Sequence, residues 1–207
     1  MGITIHYRGS INSLSLIEKL QDELVDICQS MSWDYHVWNK DLNKPFDAKF
    51  VHSESGAEIK GHIPLRGITI QTDPQNESLK LLFNRNREMS DFVTEIMKHE
   101  GTLDKKFNWL FVKTQFGAVD AHIAIIKLLK YLKQNYISDL EVNDEGGYWE
   151  TGDKEALMGK RGFLLGKMSQ VEKALSEIKF DHEPTREEML RKIDEALKNV
   201  MQKKRKP

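Results

Sequence analysis

Asp144-Glu145-Gly146-Gly147-Tyr148-Trp149-Glu150-Thr151-Gly152-Asp153 places four carboxylates and two aromatic rings around one turn. Carboxylates at that density suit a hard cation or general acid–base work, with Glu145 and Glu150 as candidate proton carriers. Read as a strand, Tyr148–Thr151 would alternate, so Tyr148 and Glu150 share one face and Trp149 and Thr151 the other. Ordinary local rules account for the same residues. Asp-Glu-Gly-Gly is turn chemistry, Tyr and Trp favour strands, and Asp153 stands where a helix N-cap belongs. Both readings stay open at this level.

A second set comes from two strand ends. His6-Tyr7-Arg8-Gly9 and Thr114-Gln115-Phe116-Gly117 each close a strand just before a turn into a helix, a common place for ligands. His122 falls on the first turn of the second of these helices, with Ile125 and Ile126 three and four residues on, so it faces inward. The candidate catalytic residues are therefore Glu145, Glu150 and His122. The candidate ligand contacts are His6, Arg8, Gln115, Tyr148 and Trp149. If the chain halves are related by pseudo-symmetry, His6, Gln115, His122 and Glu150 would converge on a metal ion. A divalent metal is the one cofactor these residues suggest. A histidine hydrogen-bonded beside a core explains His122 without any ligand.

Familiar cofactor and nucleophile motifs are absent: no phosphate-binding glycine loop, no Gly-x-Ser-x-Gly, no His-Glu-x-x-His. Cys28 is the only cysteine, which excludes an internal disulfide and a thiolate-rich metal site. Its neighbours Val25, Ile27 and Met31 mark it as a small core residue. Arg85-Asn86-Arg87 could grip an anion, and solvated turn charges explain it equally well.

The elements that must position these residues follow from periodicity. Ile3–Tyr7 alternates as a strand, and Ser15-Leu16-Ile17-Glu18 has capping-box spacing, with Leu16, Leu20, Leu24, Ile27 and Met31 recurring at helical steps. Trp33–Trp38 alternates again. Trp33, Tyr35 and Val37 form its core face, and Trp38 lies either under the following loop or on an exposed surface. Short strands are expected at 48–52, 59–63, 67–72 and 78–83, with a helix over 90–99 capped by Ser90 and stopped at Gly101. The second half repeats the pattern loosely: a strand over 109–116, a helix over 121–136, and strands at 140–142 and 148–151. The expected fold class is α+β: a mixed, mainly antiparallel sheet from two strand–helix–strand passes, a possible pseudo-repeat, with a C-terminal helical hairpin. The body is 1–153, its halves about 1–88 and 107–153 joined by a short helix, and 154–207 is a helical appendage.

In the appendage, Leu164, Met168, Val171, Leu175 and Ile178 are spaced four, three, four, three, and Leu190, Ile193, Leu197 and Val200 continue after a capping box at Thr185–Glu188. Narrow seams on two linked helices suggest a hairpin or an arm that packs on a partner, so a protein partner or self-association is expected through 164–201. The closing Lys203–Lys206 reads as a solvated basic tail.

The chain has 39% hydrophobic and 30% charged residues and a net charge of −1, a globular balance that argues against nucleic acid as a partner. It has no long apolar run and no charged leader ahead of one, so a soluble cytoplasmic protein without membrane contact is expected. The order of elements in the two halves loosely resembles the paired βαβββ modules of the glyoxalase and extradiol-dioxygenase type. That resemblance implies His, Gln and Glu ligands on strands. Two function classes therefore stand. The first is a ligand- or protein-binding or regulatory module. The second is a metal-dependent or acid–base enzyme with a pocket between the halves.

Overall fold

The computed structural model describes residues 3–53, 56–180 and 182–202, so the basic run Lys203–Lys206 lies outside the described residues. The fold is α+β. The chain runs β1 (Thr4–Arg8), α1 (Ile17–Met31), β2 (Asp34–Asn39), β3 (Lys49–Ser53), β4 (Gly56–Lys60), β5 (Arg66–Gln71), β6 (Leu79–Phe83), β7 (Met89–Ser90), α2 (Phe92–Glu100), β8 (Leu110–Lys113), α3 (Val119–Asn135), β9 (Glu141–Asp144), α4 (Tyr148–Thr151), α5 (Lys154–Ser176) and α6 (Arg186–Gln202). It divides into two units, 2–157 and 158–207. Among the described residues no helix is long and apolar enough to cross a membrane.

In the first unit β1 lies between β8 and β9, antiparallel to both, with Ile5 opposite Val112 and Asp144. A second sheet has the order β2-β5-β6-β7, and β3 and β4 form a separate ribbon. Tyr7 joins the two sheets. Its phenol donates to the Lys80 carbonyl at 3.0 Å and accepts from the Lys80 N–H at 3.1 Å. Burial pushes that phenol upward in pKa, so it stays a neutral donor. The main core gathers Ile5, Tyr7, Ile68, Leu81 and Val112 with stripes from both long helices of the unit. On α1 the stripe is Ile17, Leu20, Leu24 and Cys28, at steps of three and four. On α3 it includes Ile125, Leu128, Leu129 and Leu132, while Lys127, Lys130 and Lys133 are exposed.

Several local expectations change. Ser13 rather than Ser15 makes the first cap, over a short 3-10 turn at Leu14–Leu16, and Met31 lies outside the buried stripe. Asp91, not Ser90, caps α2, because Ser90 is taken into β7; Gly101 ends α2 as expected. Tyr35 is exposed although its neighbours Trp33 and Val37 pack on the core. Trp38 lies under the loop, against a second cluster that holds Ala48, Ile63, Leu65, Leu82 and Ile96. Tyr148–Thr151 is one turn of helix instead of a strand, entered through Gly147 at φ 79° and left through Gly152 at φ 66°. The second half thus contributes two strands, and they flank β1 of the first half, so the halves do not build two equivalent sheets.

In the second unit α6 starts from the expected capping box. The Thr185 N–H donates to Glu188 Oε2 at 3.0 Å, and the Glu188 N–H donates to Thr185 Oγ1 at 3.3 Å. The link before it is held by the Lys192 ammonium, which donates to the Lys179 carbonyl and lies 4.5 Å over the Phe180 ring.

Candidate functional site

The polar residues singled out above cluster around β1, but on its two opposite faces. Ile5 and Tyr7 point into the core, so His6 and Arg8 point outward. On that outer face His6 Nε2 lies 3.7 Å from Glu145 Oε1, and Glu145 Oε2 accepts the Thr4 N–H at 3.0 Å. Gln115 Oε1 accepts the Ile3 N–H at 3.3 Å. Arg8 bonds both carboxylate oxygens of Glu141, at 2.9 and 2.7 Å, and stacks 4.6 Å over the Trp109 ring. A bidentate pair of this kind fixes the guanidinium plane.

The inner face holds a chain of buried hydrogen bonds. His122 on α3 has its Nδ1 2.7 Å from Thr114 Oγ1 and its Nε2 3.2 Å from Asp144 Oδ1. His122 and Thr114 are each 2% exposed. The Asp144 carboxylate also accepts the Gly146 N–H at 2.7 Å and the Trp149 N–H at 3.0 Å. Burial pushes the Asp144 carboxyl up, but the bonds and charge from His122 and the two N–H donors outweigh it and hold the group below its ordinary value. Beyond His122, the Thr114 hydroxyl lies 3.3 Å from the Ile3 carbonyl. The cluster thus ties β8, α3, β9 and β1 together.

The two glycines of the turn are required for different reasons. A Cβ on Gly146 would fall 2.7 Å from Leu157 Cδ1, 2.9 Å from Asp144 Oδ1 and 3.1 Å from His122 Cε1. Gly147 is needed for its left-handed φ. Together they let the chain close over the Asp144–His122 pair and enter α4.

The four residues expected to share a metal do not converge. Strand alternation sends His6 to the outer face of the sheet, while α3 holds His122 against Asp144 on the inner face. Antiparallel pairing sets His6 level with Phe111. Gln115 lies past the end of β8, and its side chain is engaged by the Ile3 N–H, three residues before His6. Glu150 is exposed on α4. Among the described residues no group of three or more His, Cys, Asp or Glu side chains is placed to hold a metal ion. Tyr148 and Trp149 pack on the main core, with the Lys130 ammonium 5.5 Å over the Trp149 ring.

Sequence reasoning passed over Asp144 and Thr114 as the partners of His122. A signal existed: a histidine on the inner arc of an amphipathic helix needs polar partners, and a buried Asx turn supplies one. An Asp–His–hydroxyl series also suggests acyl-transfer chemistry. Here the hydroxyl is enclosed by the core, so the series acts as an internal pin for the sheet and helix.

The described helices of the second unit present a different kind of site. Met158, Phe163, Met168 and Leu175 on α5, and Met189 and Leu190 on α6, are exposed. Leu164, Val171 and Ile178, with Ile193, Leu197 and Val200, are half-buried. The expected seam is thus divided: one part is partly covered, and Met168, Leu175 and Leu190 stay in water. Compared with protein-family models, with curated proteins and with solved structures, the chain matches none of them.

Proposed function

We propose that this chain is a protein-binding or regulatory module whose partner surface is the helix pair α5–α6. One observation carries the reading. Among the residues of 158–202 whose burial is described none is buried, and Phe163 and Leu190 keep 58% and 56% of their surface in water. This stretch supplies six of the fourteen large hydrophobic residues that the described chain exposes. Covering a Leu, Met or Phe side chain is favourable by about 1.5–3 kcal/mol each, so this surface lowers its free energy by docking. Methionine, present at Met158, Met168 and Met189, adapts to irregular partner surfaces. The reciprocal cap at Thr185 and Glu188 supports the reading further, because it fixes where α6 begins.

The test uses the full chain and the variant Leu175→Glu with Leu190→Glu. Proteins recovered on each are identified, purified and titrated against both. The reading expects at least tenfold weaker binding by the variant at unchanged helical content, since each lost apolar contact removes about 1.5 kcal/mol or more. Equal affinity for wild type and variant would sink it.

A further inference from the structure

We infer that the open edge of β2 pairs with β2 of a second copy of this chain, antiparallel and about a two-fold axis at Val37. This goes beyond the helix-pair reading and does not rest on it. Where the backbone of β2 points follows from contacts two strands away. Both backbone groups of Lys80 are bonded to the Tyr7 phenol, so at Lys80 β6 turns its N–H and C=O away from β5. The Asn84 N–H donates to the Glu88 carbonyl at 3.0 Å, in the same phase. Antiparallel pairing sets Thr69 opposite Lys80 and His36 opposite Thr69. By alternation Gly67, Thr69 and Gln71 exchange bonds with Trp38, His36 and Asp34, while Tyr35, Val37 and Asn39 turn their N–H and C=O outward. Among the described residues none of those six groups has a partner, and Tyr35 and Asn39 are exposed.

The other three edges of the two sheets are engaged. On β8, Glu77 accepts the Lys113 N–H with its side chain and donates its own N–H to the Lys113 carbonyl, each at 3.0 Å. On β7 the Met89 N–H donates to the Gly9 carbonyl at 2.9 Å. Beside β9 the Lys133 ammonium bonds the Leu140 carbonyl, and the Gly147 N–H bonds that of Asp144. β2 has none of the devices that keep an edge apart: no proline, no lysine within it, and no bulge in its register with β5. Register selects a second copy as the occupant. With the axis at Val37, Val37 faces Val37 and Tyr35 faces Asn39, so all six outward groups of each copy are bonded. The same register sets Asp34 of each copy opposite Lys40 of the other. Both are exposed, and among the described residues neither is engaged within the chain. Opposite charges three residues either side of the axis suit pairing of this strand with itself. An axis at His36 would bond four of the six groups and pair neither charge. The Val37 pairing joins two four-stranded sheets into one.

Sedimentation of the full-length protein over a concentration series tests the pairing, together with amide hydrogen exchange. The expected species has twice the 24.0 kDa chain mass. In it the Tyr35, Val37 and Asn39 amides exchange slowly, although nothing within one chain protects them. Tyr35→Pro removes an outward N–H and no bond of the β2–β5 ladder, so it should leave a folded monomer with wild-type helical content. Asp34→Lys and Lys40→Asp should each weaken the dimer by about threefold to tenfold, and both together in one chain should restore it. These charge variants decide even if Tyr35→Pro does not fold. The Leu175→Glu, Leu190→Glu variant should dimerise as wild type does. A wild type that stays monomeric at every concentration, a dimer whose three amides exchange freely, or a dimer indifferent to the charge variants would overturn the pairing. Dissociation by the Leu175→Glu, Leu190→Glu variant would overturn it too, and would move self-association to the helix pair. A monomer whose three amides become protected only by a captured protein would likewise overturn it, and would assign the edge to a foreign strand.

Discussion

The His122 imidazole and the Asp144 carboxylate lie 3.2 Å apart inside the body, and each holds a further buried bond, His122 to Thr114 and Asp144 to two backbone N–H groups. Two elements distant in sequence, α3 and the turn after β9, are thereby fixed to the same point under β1. Breaking one member leaves a polar atom of its neighbour buried and unsatisfied, which costs more than the bond itself contributes.

Asp144→Ala should therefore lower stability by about 2–3 kcal/mol, the scale for leaving buried hydrogen-bonding groups unsatisfied. Thr114→Val, which removes only the hydroxyl, should cost about 1–2 kcal/mol. Glu150→Ala on the exposed side of α4 should stay within about 0.5 kcal/mol. Urea titration of the three variants checks the order; a Glu150 effect as large as that of Asp144 would contradict the pin.

The same pair sets a direction of pH dependence. In the folded chain the Asp144 carboxyl sits below its ordinary value. Above about pH 5 the carboxyl is ionised both folded and unfolded, and its contribution is complete. As pH falls through about 4 the unfolded chain takes up a proton that the folded chain refuses, so stability is lost with acid. Asp144→Asn should flatten the stability–pH slope between about pH 5 and 3 relative to wild type. Parallel slopes would show that Asp144 does not titrate in this way.

Ser32 ends α1 in the left-handed region, at φ 55°, where a side chain is disfavoured. Its backbone N–H already closes the helix on Cys28 and Gln29. Ser32→Gly should raise stability by about 0.5–1 kcal/mol, read as a higher thermal midpoint. A fall would mean that the Ser32 side chain contributes something its exposed position does not suggest.

Gly67 sits inside β5 at φ 146°, and a Cβ there would come within 2.0 Å of the Leu81 carbonyl oxygen. Its own carbonyl accepts from the buried Gln21 side chain at 2.6 Å, which ties β5 to α1. Gly67→Ala should cost about 3 kcal/mol or prevent folding, through strain and overpacking together. Full solubility with a wild-type denaturation midpoint would contradict that packing.

Much of the architecture was legible along the chain because its period is local. The three-and-four spacing of Leu20, Leu24 and Ile27, and of Ile125, Leu128 and Leu132, identifies the two core helices before any contact is known. The start of the first stripe falls at Ile17 and not at the expected Leu16. Thr185–Glu188 announces a helix start, and both of its bonds form. Where local preference was weak, neighbours decided. Tyr148 and Trp149 favour strands by type, yet Gly147, Gly152 and the Trp149 N–H bonded to Asp144 wind them into a turn of helix.

The candidate site divides along the same line. Sequence alone determined which residues are equipped for chemistry: His6, Gln115, His122, Glu145 and Glu150 are polar whatever the fold, and the residue types bound what they can do. Which of them meet was decided only in three dimensions, because β1 pairs antiparallel with both β8 and β9. Strand alternation then sends His6 to the outer face and Asp144 to the inner one, where His122 meets it from α3. The apolar seam of the last two helices was equally plain in the sequence. That part of it stays in water, at Met168, Leu175 and Leu190, depends on how many neighbours each helix meets, and periodicity along one chain does not contain that number.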